Sequence, residues 1–177
     1  MRYKRMIGEK IYLTALILED ANVITEWFNT PEITQYLGIH REIKSLEIVK
    51  EDIEKYIKTG AAFAIFCKEM DALVGVIVLS EYGFIEIIIS KVEYRLKGFD
   101  MEAVELLLDY GFNLKNCRVI RVSAYSHDTA TLALYEKLGF KQSVVKRERL
   151  IFGRDKFDEI YFDMLASEYF KRRQDNG

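Results

Sequence analysis

The chemistry-bearing residues of this chain concentrate between Glu86 and Phe140. Arg95-Leu96-Lys97-Gly98-Phe99-Asp100 sets two cations beside a glycine, just before a strongly amphipathic segment. Such a turn is a candidate anion cradle. Unpaired N–H groups and positive dipole gather at a helix start, and glycine lets backbone approach the anion closely. Glu86 is the one charged residue in Phe84–Ile89. A carboxyl buried there has a raised pKa and suits general-base work; an alternating strand equally places it on the outer face. Leu134-Tyr135-Glu136-Lys137-Leu138-Gly139-Phe140 puts the Tyr135 hydroxyl near the end of a short helix. With 11 tyrosines in the chain, packing is the ordinary role for any one of them. Cys67 and Cys117 stand apart, without a CxxC, and read as buried reduced thiols. His40 and His127 are equally isolated, so no metal site is expected. His127, between Ser126 and Asp128, reads as a solvated loop histidine and is left out of the site.

These residues need elements to hold them. Ile11–Ile17 reads as an opening strand. Val23, Ile24, Trp27 and Phe28 recur at helical spacing over Ala21–Phe28, with Glu19 and Asp20 at the positive end of the dipole. Pro31 suits the first position of another short helix. Ser45 is a cap for a helix over Leu46–Lys58, which Gly60 stops. From Ala61 the period changes. Phe63–Cys67, Leu73–Leu79 and Phe84–Ser90 form an antiparallel meander. Ala103–Asn116 is the clearest helix, Val119–Tyr125 a strand and Thr129–Leu138 a short helix ended by Gly139. Phe140–Leu150 and Phe157–Leu165 form a hairpin about Gly153-Arg154-Asp155. The charged tail from Ala166 is expected to fray. Strands, then βαβα, then a hairpin predict an α/β (α+β) fold with a mixed, mostly antiparallel sheet and helices on its faces.

At 177 residues, one domain over 1–166 with a tail over 167–177 is the expectation. A net charge of −2 argues against bulk-charge binding of nucleic acid, and the lysines and arginines of 141–156 are scattered. No apolar run reaches the roughly 18 residues of a membrane span. The basic N-terminus is followed by no apolar signal region, so a cytoplasmic location is the default expectation.

Glu93-Tyr94-Arg95-x-Lys97-Gly98-Phe99, then Glu102-Ala103, then Leu134–Phe140, resemble the GNAT acetyltransferase superfamily. The early Trp27-Phe28-Asn29 and Pro31-Glu32 and the closing hairpin resemble its branch of ribosomal-protein N-terminal and spermidine acetyltransferases. The resemblance spans nearly the whole chain. It implies a GNAT-like sheet with a splayed central strand, and acetyl-CoA as cosubstrate. Arg95, Leu96, Lys97, Gly98, Phe99 and Asp100 would hold its pyrophosphate. The backbone of Ile87, Ile88 and Ile89 would pair with the pantetheine arm as an added strand does. Glu86 would serve as base for a primary amine, and Tyr135 as acid for the leaving thiolate. A backbone N–H on that strand would polarise the carbonyl.

The chain departs from the family pattern in three places. Asp100 stands where the cofactor turn has its second glycine or alanine. Leu96 stands where many relatives carry glycine. Asp128, also counted with the cofactor residues, replaces a frequent asparagine. A carboxylate at position 100 can cap N–H groups meant for phosphate. The resemblance therefore admits two functions. One is transfer of acetyl to an N-terminal amine, a polyamine or another small amine. The other is a GNAT-fold binding protein with a weakened cofactor site. A homodimer is compatible with either.

Overall fold

The meander expected after residue 61 is the middle of a five-stranded sheet in the computed structural model, which describes residues 3–37, 42–59 and 61–175. The order is β1 (Lys4–Ile7), β2 (Ile11–Ala15), β3 (Ala61–Cys67), β4 (Ala72–Leu79) and β5 (Ile85–Ile89), with every ladder antiparallel. The sequence gives no hint of β1. Its residues are basic and largely exposed, and a register shift between Lys4 and Met6 breaks the alternation. This sheet belongs to one compact unit, Met1–Leu107; a second spans Leu108–Gly177. The second unit carries β6 (Val119–Tyr125), β7 (Lys141–Phe152) and β8 (Asp155–Leu165), ordered β6-β8-β7 and again antiparallel. The mostly antiparallel α+β expectation holds, with the strands divided between two sheets.

In the first unit, α1 (Ala21–Phe28) and α3 (Leu46–Thr59) cover one sheet face. Ile24, Trp27, Val49 and Ile53 cluster there with Ala64, Val76 and Val78. Ser45 caps α3 as expected: its Oγ accepts from Ile48 N at 3.4 Å and its carbonyl from Val49 N at 3.1 Å. The expected stop at Gly60 and the lone His40 lie outside the described residues. Pro31 opens α2 (Pro31–Thr34). Asp20 does not simply face the dipole of α1. It is buried, and its Oδ2 accepts from Ile17 N at 3.2 Å to close a 3-10 turn over Leu18–Asp20.

The stretch after β5 differs from the expectation. Arg95 and Leu96 are not in a turn; they end a short helix, α4 (Val92–Leu96). Gly98 takes φ +79°, a conformation glycine adopts without steric cost, and α5 (Phe99–Asp109) starts at once, four residues before Ala103. A π-helical stretch, Tyr110–Leu114, follows α5 where a continuous α-helix to Asn116 was expected.

In the second unit, α6 (Thr129–Lys137) ends before Gly139 at φ +91°. The tail does not fray as expected. Residues Ala166–Asp175 form α7. Tyr169 is buried, stacks on Phe112 with ring centroids 4.7 Å apart and donates to Asp109 Oδ1 at 3.1 Å. Arg173 pairs with the same carboxylate at 3.0 Å, and Arg172 donates to the Lys137 carbonyl at 3.0 Å. The aromatic pair Tyr169-Phe170 inside a charged run supplied the anchor that composition hid. Among the described residues no helix is long and apolar enough to cross a membrane.

Candidate active site

The candidate cradle is built from three pieces: the end of α4, the Lys97–Gly98 turn and the first turn of α5. The backbone ladder of α5 includes Glu102 N on Gly98 O at 3.1 Å. The N–H groups of Phe99, Asp100 and Met101 therefore precede the helical ladder. A Cβ on Gly98 would meet nothing within 4 Å, so the turn opens on free space. Lys97 is exposed. Arg95 lies largely buried with its guanidinium 5.0 Å from the Tyr36 ring centroid. Two cations, an open glycine turn and a helix start fit a diphosphate.

The other cradle residues have different roles. Leu96 is 84% exposed and contributes no charge. Phe99 is buried and stacks on Tyr94, ring centroids 5.6 Å apart, so its ring serves packing. Asp100 opposes the cradle. Its Oδ2 lies 3.8 Å from Arg95 Nε and its Oδ1 accepts from Met101 N at 2.8 Å. The carboxylate thus holds one cation and one N–H that an incoming anion would use.

Among the described residues β5 is the last strand of its sheet and pairs on one side, with β4. Its second edge is of the kind that accepts an added strand. Ile88 packs against the cluster under α1 and α3, and Ile89 is buried, so these side chains are core while their backbone forms the edge. Gly75 on β4 is required here: a Cβ would sit 2.5 Å from Ile88 O.

Of the two readings of Glu86, burial fails and exposure holds. In the ladder it faces Val78, which sits in the α1/α3 cluster, so it lies on the helix-covered side near the end of that cover. There its Oε2 accepts a 2.7 Å hydrogen bond from the Tyr56 hydroxyl of α3. Burial, then the bond to Glu86, pushes the Tyr56 phenol well above the ordinary tyrosine range. Tyr56 therefore stays a donor to the carboxylate. Sequence reasoning missed it; the signal was a hydroxyl on the same helix as the buried Val49 and Ile53.

In the second unit, Tyr135 is 3% exposed on α6, edge-to-face with Phe140 at 5.8 Å and Phe162 at 6.0 Å. The aromatic box fixes its ring. Asp128 is the N-cap of α6: Oδ1 accepts from Thr131 N at 3.2 Å and Oδ2 from Thr131 Oγ1 at 2.7 Å. It sets where the helix carrying Tyr135 begins. His127 lies in the turn between β6 and α6, as expected, but is half-buried: its ring sits against Phe157 with centroids 4.4 Å apart and Tyr125 at 6.2 Å. Cys67 is buried and Cys117 half-buried, both free. Among the described residues no group of three or more His, Cys, Asp or Glu could hold a metal ion. Glu86, Ile87–Ile89 and Arg95–Asp100 thus share the first unit, and Asp128 and Tyr135 the second.

Comparison with known proteins bears on the family and the fold. The sequence profile of the Acetyltransferase (GNAT) domain matches residues 10–141. The chain is 29% identical over 175 residues to the uncharacterized N-acetyltransferase p20 of Bacillus licheniformis, covering 91% of this chain and 96% of the relative. It is 23% identical over 157 residues to the uncharacterized N-acetyltransferase YnaD of Bacillus subtilis, covering 81% and 90%. Among solved structures it superposes on spermidine N-acetyltransferase from Vibrio cholerae, in complex with CoA and spermine, at TM-score 0.79. That match has 24% identity and covers 92% of this chain and 99% of the other. A GNAT-family acetyltransferase from Bacillus anthracis matches at TM-score 0.75, with 21% identity over 95% and 100% of the two chains. The solved structures speak to the fold.

Proposed function

The chain belongs to the GNAT acetyltransferase family, and on that premise we propose that it moves an acetyl group from acetyl-CoA to a primary amine by direct attack. One observation carries the cofactor reading. An edge strand, β5, is followed through α4 by Arg95, Lys97 and an open glycine turn at the start of an 11-residue helix. Bound there, acetyl-CoA would supply the activated thioester. The edge backbone of Ile87–Ile89 would hold its amide-bearing arm, and the Arg95–Asp100 region its diphosphate. A backbone N–H of β5 would stabilise charge on the carbonyl oxygen.

Glu86 would accept the proton that the attacking nitrogen loses. An aliphatic amine resembles lysine, with a pKa near 10.4, so it needs a base to react as the free amine at neutral pH. An exposed carboxylate reaches an arriving amine directly or through one water. Tyr135 would give its proton to the leaving thiolate, whose pKa is about 8.5. Asp128 would act through α6, by fixing the helix start.

The acceptor proposed first is a polyamine or another cationic amine. The Vibrio cholerae protein named above acts on spermidine, and Glu26, Glu32 and Glu42 are exposed ahead of α3 here. A screen of amine acceptors with acetyl-CoA, followed by release of free thiol, tests the reading. Acetylation of a polyamine well above peptide and amino-sugar amines is expected, and a peptide N-terminus as the best acceptor would replace it. The pairing of Asp100 with Arg95 favours a second reading, a weakened cofactor site. Thermal shift separates the two: ligand at about 100 times its Kd adds roughly 2.7 kcal/mol, and no shift with acetyl-CoA would favour the second.

A further inference from the structure

The Lys97–Gly98 turn is tied to a distant part of the chain, the turn between β1 and β2. Lys10 donates its backbone N–H to both carboxylate oxygens of Glu102, at 3.0 and 3.2 Å. Its ammonium donates to the Lys97 carbonyl at 3.1 Å. Glu102 stands in the first turn of α5 and Lys97 directly after α4. One residue therefore grips both sides of the glycine turn. The charges suit their places, a carboxylate near a helix start and an ammonium at a helix end. Gly8 makes room for this contact. A Cβ on it would lie 1.9 Å from Glu102 Oε1 and 2.7 Å from its carboxyl carbon. The β1–β2 turn is itself closed by Gly8 N on Ile11 O at 3.0 Å and by the Lys68 ammonium on the Gly8 carbonyl.

We infer that Lys10 and Glu102 are positioning residues that hold the Lys97–Gly98 turn in the shape that receives the diphosphate of acetyl-CoA; this rests on the cofactor site proposed above. Nothing lies within 4 Å of where a Gly98 side chain would begin. The turn has no packing of its own on that side. Its shape is set by the bonds to its two shoulders. An unclamped turn must be ordered when the ligand arrives, and that ordering subtracts from affinity. The cost falls on the part of the donor that touches the turn and leaves the thioester chemistry alone.

The test compares acetyl-CoA with S-acetylpantetheine, which keeps the thioester and arm but lacks the diphosphate. Glu102→Ala should raise KM for acetyl-CoA by roughly ten- to hundredfold, the scale of a lost hydrogen bond to a charged group, with kcat kept. Its kcat/KM for S-acetylpantetheine should not change. Glu102→Gln keeps an acceptor oxygen and should recover part of the loss. Lys10→Met keeps the backbone N–H, loses only the bond to Lys97 O, and should show a smaller rise of the same kind. It also carries the comparison if Glu102→Ala does not fold. Equal losses with both donors, or an unchanged KM for acetyl-CoA in the folded variants, overturn the clamp. A wild-type protein that uses both donors alike overturns the cofactor reading itself, and the clamp with it.

Discussion

Asp100 Oδ2 lies 3.8 Å from Arg95 Nε, with both side chains largely buried, inside the turn that would receive a diphosphate. Charges about 4 Å apart interact by roughly 1 kcal/mol in water and about 4 kcal/mol at an effective dielectric of 20. An anion arriving in this turn would therefore compete with Asp100 for Arg95 and be repelled by it. Asp100→Asn removes the charge while keeping an acceptor for Met101 N. Affinity for acetyl-CoA in calorimetry should rise by about tenfold, equal to roughly 1.4 kcal/mol. A drop in affinity would instead mean that Asp100 holds Arg95 in its binding orientation.

Arg95 and Lys97 should carry the salt dependence of cofactor binding. The double change to alanine should weaken acetyl-CoA binding and flatten its dependence on ionic strength, the latter mainly through the exposed Lys97, since exposed charges are screened within about 10 Å at 0.1 M salt. Calorimetry at two salt concentrations reads both effects, and an unchanged affinity removes this turn from the site.

Tyr135→Phe keeps the ring in its box with Phe140 and Phe162 and removes only the hydroxyl. General-acid help is worth about 10²–10⁴-fold in rate. Turnover should fall on that scale while acetyl-CoA affinity stays close to wild type. Full turnover under conditions where chemistry limits the rate would leave Tyr135 a packing residue.

Tyr56 and Glu86 give a pH signature. The Tyr56 phenol is raised first by burial and second by its bond to Glu86. Glu86→Gln should lower its titration, followed by ultraviolet absorbance, without returning it to the ordinary value near 10, because burial remains. A phenol held protonated in the fold contributes stability that is complete below the unfolded value and fades as pH rises toward the folded one. Tyr56→Phe should remove that alkaline decline. At neutral pH it should cost about 0.5–1.5 kcal/mol, modest because Glu86 is exposed.

The C-terminal helix should matter for stability. Tyr169→Ala removes a buried ring stacked on Phe112 and a hydrogen bond to Asp109. Truncating a buried aromatic costs about 3–5 kcal/mol, and urea unfolding should show a loss near the lower end. A change under about 0.5 kcal/mol would mean that α7 contributes little to the second unit.

The sequence by itself determined the elements whose cause is local. Hydrophobic period set α1, α3, the meander and β6, and single residues placed boundaries: Pro31, Ser45, Gly139 and Gly153. The Arg95–Gly98 cluster and Tyr135 marked the candidate site in the same way, by residue type and spacing. Tertiary structure decided what depends on partners far along the chain. β1 exists because β2 offers it an edge, and α7 because Tyr169 finds Phe112 and Asp109. The hydrogen bond from Tyr56 to Glu86 joins α3 to β5 across 30 positions of chain, which alternation along one strand cannot reveal. The bonds from Lys10 to Glu102 and Lys97 reach 92 and 87 positions along the chain. Only folding brings such groups together, because hydrogen bonds and ion pairs act through space over a few ångströms, whereas propensity and periodicity act through neighbours in the chain.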